Sequence, residues 1–297
     1  MQSEDMGNVL GILQGAVERL RRFAYAETPR GRRPRVGLAL SGGFARGISH
    51  IGVLRVLEES LIPIDCIAGT SVGALVAAAY ASGVSLEEME RQAAETHFKD
   101  FGRWTLSFMG LATNERLEGY LRRYSARTSF EEMKLPLAIA ATDLNTGEPV
   151  YFTSGPVGPA LRASCAYPGL FLPVEHQGHT LVDGFLAAPV PVEAARRLGA
   201  DVVIAVQLEA GAVSRPRTMI DVISRSFSIL QRYAHAEWRA QADIIIEPDV
   251  KNFIWDNFEK SPDMIAAGEA ATRMALTQIR AALQTPQAMP IGVSPSN

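Results

Sequence analysis

The 297-residue chain has little of the features that settle a protein's class early. It holds two cysteines, Cys66 and Cys165, both among apolar or small neighbours. Two thiols build no disulfide framework, which fits a reducing compartment, although a single bridge stays open. Neither sign of charge is in excess. There are 29 Lys and Arg against 32 Asp and Glu, a net charge of −3, which argues against a general nucleic-acid binder. The N-terminus lacks a basic start followed by an apolar run, so no signal peptide is expected. Long apolar runs are missing too. The longest uncharged candidate, Cys66 to Leu86, is punctuated by Gly69, Thr70, Ser71, Gly73, Ser82, Gly83 and Ser85. A membrane span needs ~20 predominantly apolar residues, and this stretch is too polar for one. No internal repeat and no metal-ligand spacing is visible, so no metal or cofactor is expected.

What is present is a globular composition, 47% apolar and 21% charged, enough for a large core. Ile64 to Ala68 reads as a buried strand, and the Ala-rich stretch Ala74 to Ala81 as a helix. Between them stands Gly69-Thr70-Ser71-Val72-Gly73, a G-x-S-x-G pattern in the strand–turn–helix context of a nucleophile elbow. Gly69 and Gly73 would let strand and helix approach closely, while the sharp turn pushes the Ser71 hydroxyl outward. On the pattern alone Ser71 also reads as an ordinary helix N-cap.

The rest of the chain alternates strands with helices, which predicts a three-layer α/β/α fold with a mainly parallel central sheet. Residues 1–34 read as an amphipathic helix and a basic linker, suited either to an anionic membrane surface or to solvent. Residues 35–283 read as a single catalytic domain, and 284–297 as a disordered tail. Val36 to Leu40 is the first expected strand. The glycine-rich turn Gly42-Gly43-Phe44-Ala45-Arg46-Gly47 follows, then a helix. Such a turn presents backbone N–H groups to an anion or an oxyanion, or serves tight packing. His50, one turn into that helix, reads as a hydrogen-bonded packing residue. Ser85 reads as the N-cap of a helix over 85–97. Phe98, Phe101, Trp104, Leu106, Phe108, Met109 and Leu111 crowd together without clean periodicity, as a lid, an acyl-chain wall or core. Further strands are expected at Leu135 to Ala141, Pro149 to Phe152, Leu181 to Asp183, Val202 to Leu208 and Ile244 to Ile246. Asp143 reads as a turn residue that accepts from the backbone. Residues 161–174 read as a helix end running into a proline-bounded loop. Asp183 stands at a strand-to-turn junction, as a turn carboxylate or a base. One amphipathic helix is expected from Met219 to Ala240, and a last helix over 263–283.

Three pieces in this order, Gly42 to Gly47, Gly69 to Gly73 and Asp183-Gly184, resemble the patatin-like phospholipase family, and the likeness runs over roughly residues 35–210. The resemblance implies a Ser–Asp dyad that hydrolyses lipid acyl esters through an acyl-enzyme. Ser71 would be the nucleophile and Asp183 the general base. Gly42, Gly43 and Phe44 would donate N–H groups to the oxyanion, with Arg46 and Gly47 shaping the loop. The implied substrate is a phospholipid or lysophospholipid, with no cofactor. The charge balance leaves no nucleic-acid partner expected, and a cytoplasmic location with peripheral membrane contact is the default, with export without a cleaved signal left open. One departure is Phe185, where the family usually has a small residue after Asp-Gly. Rival readings are a triad hydrolase with the chain order Ser71, Asp183, His235, a lipid-binding module without turnover, and acyl transfer to an acceptor other than water. The aromatic groups Phe98 to Met109 and Phe253 to Phe258, with Trp255, are candidates to touch lipid.

Overall fold

Short runs of Val, Ile, Leu and Ala, bounded by Gly and turn residues, become the strands of one central sheet. The computed structural model describes residues 33–284, apart from 97–99, 101, 106, 210–215, 217, 235 and 254–257. The expected N-terminal helix, nearly all of the basic linker, the tail beyond Gln284, His235 and Trp255 therefore lie outside the described residues. In chain order the strands are β1 (Val36–Leu40), β2 (Cys66–Thr70), β3 (Arg103–Trp104), β4 (Gly110–Thr113), β5 (Leu137–Asp143), β6 (Pro149–Phe152), β7 (Gly169–Phe171), β8 (Val174–His176), β9 (His179–Asp183), β10 (Val202–Val206) and β11 (Ile244–Ile246). The helices are α1 (Ser49–Glu59), α2 (Val72–Ser82), α3 (Leu86–Glu95), α4 (Val157–Ser164), α5 (Val192–Arg197), α6 (Met219–Ala234), α7 (Ala236–Gln241) and α8 (Ser261–Gln284).

The large sheet runs β11-β10-β1-β2-β5-β9-β8, with β6 also paired to β5. From β11 to β5 every pairing is parallel. Beyond β5 the pairings with β6 and β9, and of β9 with β8, are antiparallel. Strands β1, β2, β5 and β10 are buried along their whole length, as strands covered on both faces must be. Side-chain alternation then separates two unlike layers. Val36, Leu38 and Leu40 face a large core with Ile67, Ile139 and Ile204 under α1, α2 and α8. Ala39, Cys66, Ala68 and Ala205 face a tighter layer under α5 and α7. This is the expected three-layer α/β arrangement.

Helices α1 and α8 cross at two glycines. A Cβ on Gly52 would lie 2.0 Å from the Ile265 carbonyl oxygen, and one on Gly268 would lie 2.0 Å from that of Ser49. Ser85 caps α3 as expected, its Oγ accepting from the Glu88 N–H at 3.3 Å. No helix among the described residues is long and apolar enough to cross a membrane.

Several details depart from the sequence reading. Strands β3 and β4 form an antiparallel hairpin, and β4 pairs in parallel with β7, giving a second, three-stranded sheet. The segment 161–174 thus carries a strand as well as a helix end. In the aromatic stretch Trp104, Phe108 and Met109 are exposed, so core packing is excluded for them, while Phe98, Phe101 and Leu106 lie outside the described residues. Phe253 and Phe258 are half-buried against the large core. Of the helix expected from Met219 to Ala240, Met219–Ala234 and Ala236–Gln241 are helical.

Candidate active site

The elbow is built by close approach. A Cβ on Gly69 would lie 2.4 Å from the Gly73 carbonyl oxygen, and a Cβ on Gly73 would lie 2.4 Å from that of Leu40. With both positions bare, β2 delivers the chain directly into α2, and Ser71 takes the turn at φ 56°, ψ −125°. This conformation is costly for a residue with a side chain, and such strain concentrates at functional sites. The Ser71 hydroxyl makes no cap bond to α2. It donates instead to Asp183 Oδ2 at 2.8 Å, so its side chain is not an N-cap. The Ser71 backbone N–H donates to Ser164 Oγ at 2.8 Å. Ser164 ends α4 and is fully buried.

Asp183 closes β9 opposite Ala141 and is only 2% exposed. Its neighbour Gly184 lies against the Ala140 carbonyl oxygen, 2.4 Å from where a Cβ would stand. This close passage carries the chain over the end of β5 toward β2, where Thr70 Oγ1 donates to the Ala188 carbonyl at 2.7 Å. The carboxylate accepts from Ser71 at one oxygen and from the Phe185 N–H at the other, 2.9 Å away. Phe185, the departure from the family pattern, therefore contributes its backbone to the site. Gln231 of α6 in turn donates to the Phe185 carbonyl at 2.5 Å. Burial pushes the Asp183 pKa up to about 7, against the opposing pull of the Phe185 and Ser71 bonds. Desolvation penalises the ionised form, and two hydrogen bonds to it recover part of the loss.

The glycine-rich turn lies over the nucleophile. A Cβ on Gly42 would approach Ser71 Cβ to 3.3 Å. The turn then enters a 3₁₀ segment over Phe44–Ile48. Arg46 Nε donates to the Gly43 carbonyl at 3.2 Å, and burial lowers the pKa of its guanidinium. Phe44 stands at φ 52° and meets the Tyr167 ring edge-on at 4.9 Å. Gly47 faces the elbow helix: a Cβ there would lie 2.3 Å from Val72 Cγ1. His50 is a packing residue, as its position predicts. It is fully buried and its Nε2 lies 2.9 Å from the Ser41 carbonyl, so that nitrogen carries the proton and donates. Burial lowers its pKa to about 4. Asp143 accepts from the Asn145 N–H at 2.9 Å, as expected of a turn residue, and His179 Nδ1 lies 2.8 Å from its other oxygen.

The structure thus brings Ser71, Asp183 and the Gly42–Arg46 turn together from three separated parts of the chain. It adds two polar contacts that the sequence did not single out, Ser164 and Gln231. Both cysteines are free and buried. Burial, with the Asp183 carboxylate nearby, raises the Cys165 pKa well above the usual thiol range, so this thiol stays protonated beside the site.

A sequence model of the patatin-like phospholipase family matches residues 38–196, from within β1 into α5. An uncharacterized NTE family protein of Mycobacterium tuberculosis is 38% identical over 178 residues, covering 59% of this chain and 49% of that one. Lysophospholipase nte1 of Aspergillus fumigatus is 31% identical over 204 residues, covering 67% of this chain and 13% of its own. The chain therefore spans about half the length of the mycobacterial relative and a small part of the fungal one. Among solved structures, VipD from Legionella pneumophila aligns with a TM-score of 0.47 at 14% identity, over 84% of this chain and 67% of that one. The family match covers more than half of the sequence and takes in both the elbow and Asp183, and on it the chain belongs to the patatin-like phospholipase family.

Proposed function

We propose that the protein hydrolyses acyl esters of lipids, with a lysophospholipid as the substrate class, through a Ser71–Asp183 dyad. The observation that carries this reading is the 2.8 Å hydrogen bond from the Ser71 hydroxyl to a carboxylate 2% exposed. A serine hydroxyl is a weak nucleophile until a base takes its proton. A carboxylate at its ordinary pKa of ~3.9 is a poor base for that task. One raised to about 7 is matched to work near neutral pH.

In the first half-reaction the Ser71 proton passes to Asp183 Oδ2 while Oγ bonds to the acyl carbonyl carbon. The carbonyl oxygen takes up the electron pair, and the N–H groups of Gly42, Gly43 and Phe44 stabilise it. Losing one such donor typically costs on the order of 3 kcal/mol. The intermediate collapses, the ester C–O bond breaks, and Asp183 returns the proton to the leaving alkoxide. In the second half-reaction water gives a proton to Asp183 while its oxygen attacks the acyl carbon. The bond from that carbon to Ser71 Oγ then breaks, Asp183 passes the proton to Oγ, and the fatty acid is released. The relative named lysophospholipase supports the substrate class.

The test is hydrolysis of a short p-nitrophenyl ester and of a lysophospholipid by wild type, Ser71→Ala and Asp183→Asn. Both variants are expected to fold and to lose at least about 10³-fold in kcat/KM. Retained activity in Asp183→Asn would overturn the dyad. His235→Ala is expected to stay active, because the Ser71 proton is already donated to a carboxylate.

A further inference from the structure

A small apolar cluster stands apart from the two main layers and sits over the candidate site. Ala112 of β4, Tyr167, and Leu170 and Phe171 of β7 form its buried part. Phe44 of the glycine-rich turn and Ile220, Ile223 and Phe227 of α6 pack on it. Tyr167 also donates from its hydroxyl to Ser224 Oγ of α6 at 3.1 Å. Through this cluster the β3–β4 hairpin and α6 are both fastened to residues that border Ser71 and Asp183.

The other faces of these two elements are exposed and apolar. On α6, Met219, Val222, Ile229 and Leu230 are 46% to 64% exposed. At 100° per residue they form one stripe, interrupted by Ser226, beside the inward stripe of Ile220, Ile223 and Phe227. On the hairpin, Trp104, Phe108, Met109 and Leu111 are exposed, Phe108 completely. Eleven large apolar side chains are exposed among the described residues, and eight of them belong to these two elements. Single exposed apolar side chains need no explanation, but this concentration around one site does.

The charge of the same segments identifies what covers them. Residues 103–113 contain Arg103, which pairs with Glu115 at 3.9 Å, and no acidic residue, and the α6 sequence contains Arg225 and Arg232 against Asp221 alone. Large apolar side chains accompanied by arginines are the composition of an interfacial, anionic-lipid-binding surface. We infer that the tip of the β3–β4 hairpin and the outer stripe of α6 form the surface by which this protein docks on an anionic lipid bilayer. The inference rests on the lipid-hydrolase reading of the site and adds to it the place where the lipid surface is met.

The experiment is vesicle sedimentation in the Ser71→Ala background, so that the lipid is not consumed. Vesicles of phosphatidylcholine with phosphatidylserine are compared with vesicles of phosphatidylcholine alone. Partitioning is expected to be at least about tenfold stronger on the anionic vesicles, and to fall about tenfold in Phe108→Ser/Met109→Ser and again in Val222→Ser/Leu230→Ser. Thermal unfolding checks that both double variants are folded. Vesicles are also expected to shift tryptophan emission to shorter wavelength, and Trp104→Phe to abolish most of that shift. Three outcomes overturn the inference. Binding unchanged in both double variants is one, and equal binding to neutral and anionic vesicles is another. The third is a dimer in sedimentation velocity that the double variants dissociate, which would assign the surface to a second copy of the chain. Hydrolysis of the soluble p-nitrophenyl ester is read separately on wild type, so failure of the docking surface and failure of the hydrolase reading are told apart.

Discussion

The candidate site lies between two regions built on different principles. Beneath it is the sheet, with Ser71 and Asp183 held by β2 and β9 in a densely packed interior where glycine is demanded at Gly69 and Gly73. Over it is the small cluster of β4, β7 and α6, in which Ile220, Ile223, Phe227 and Phe44 are only partly buried. The lower region has little freedom to adjust, and the upper one adds to the β4–β7 pairing a few rings and the side-chain hydrogen bonds of Tyr167 and Gln231. The contrast separates tasks. Under the proposed function, positioning of the reacting groups falls to the rigid part and access to the partly buried cover, where local opening is cheaper.

The sharpest break of this contrast sets a core lesion against a cover lesion. Gly52→Ala places a methyl group where the Ile265 carbonyl stands, at 2.0 Å, and is expected to cost about 3 kcal/mol or more in urea unfolding. Phe227→Ala in the cover is expected to cost about 1–2 kcal/mol, while lowering kcat/KM more than that loss of stability explains. Equal stability effects at the two positions would show that the cover is as firmly built as the core.

A second effect comes from pH. With the Asp183 pKa at about 7, kcat/KM should fall about tenfold per pH unit below that point, because a protonated carboxyl cannot accept the Ser71 proton. A pH–rate profile between pH 5 and 9 reads this directly. Stability runs the other way. Folding raises this pKa from an ordinary ~3.9, so the folded chain holds the extra proton between the two values. The stabilising share is complete below the unfolded value and is lost as pH rises through 7. Asp183→Asn should therefore gain in stability relative to wild type between pH 5 and pH 8.

A smaller effect is expected at Ser164. Ser164→Ala removes the acceptor for the Ser71 N–H and leaves a donor in the interior unpaired, at about 1–3 kcal/mol. Since the nucleophile loses a support of its strained turn, kcat should fall about tenfold with KM little changed. A drop in stability with kcat intact would make Ser164 a purely structural residue.

Much of the lower region was legible in the sequence, because local chemistry dictates it. An apolar run, a Gly-x-Ser-x-Gly turn and an Ala-rich helix leave few other conformations open, and Val36 to Leu40 became a strand over the expected residues. The meeting of Ser71 with Asp183 rests on the pairing of β5 with both β2 and β9, a long-range register that only the family resemblance anticipated. The upper region was scarcely legible. Strand β3 has two residues and β7 three, too short for a period of two to show. The amphipathic pattern of α6 announced a helix but not that its outward stripe would stay uncovered. Ser164 carried no signal at all, since a serine at a helix end usually serves only its own backbone, and here it serves a residue 93 positions away.

The surroundings of Asp183 carry one more consequence. Among the described residues, the influences that set its proton affinity are burial, the Phe185 amide and the Ser71 hydroxyl, with no cation among them. Under the proposed chemistry the carboxylate loses its negative charge as it takes the proton, and the charge reappears on the substrate oxygen nearby. A histidine base would instead become a cation facing a new anion. The Ser–Asp pair only relocates one charge, so the total field of the site hardly changes during the reaction. Turnover of a neutral, soluble ester should accordingly be almost indifferent to ionic strength.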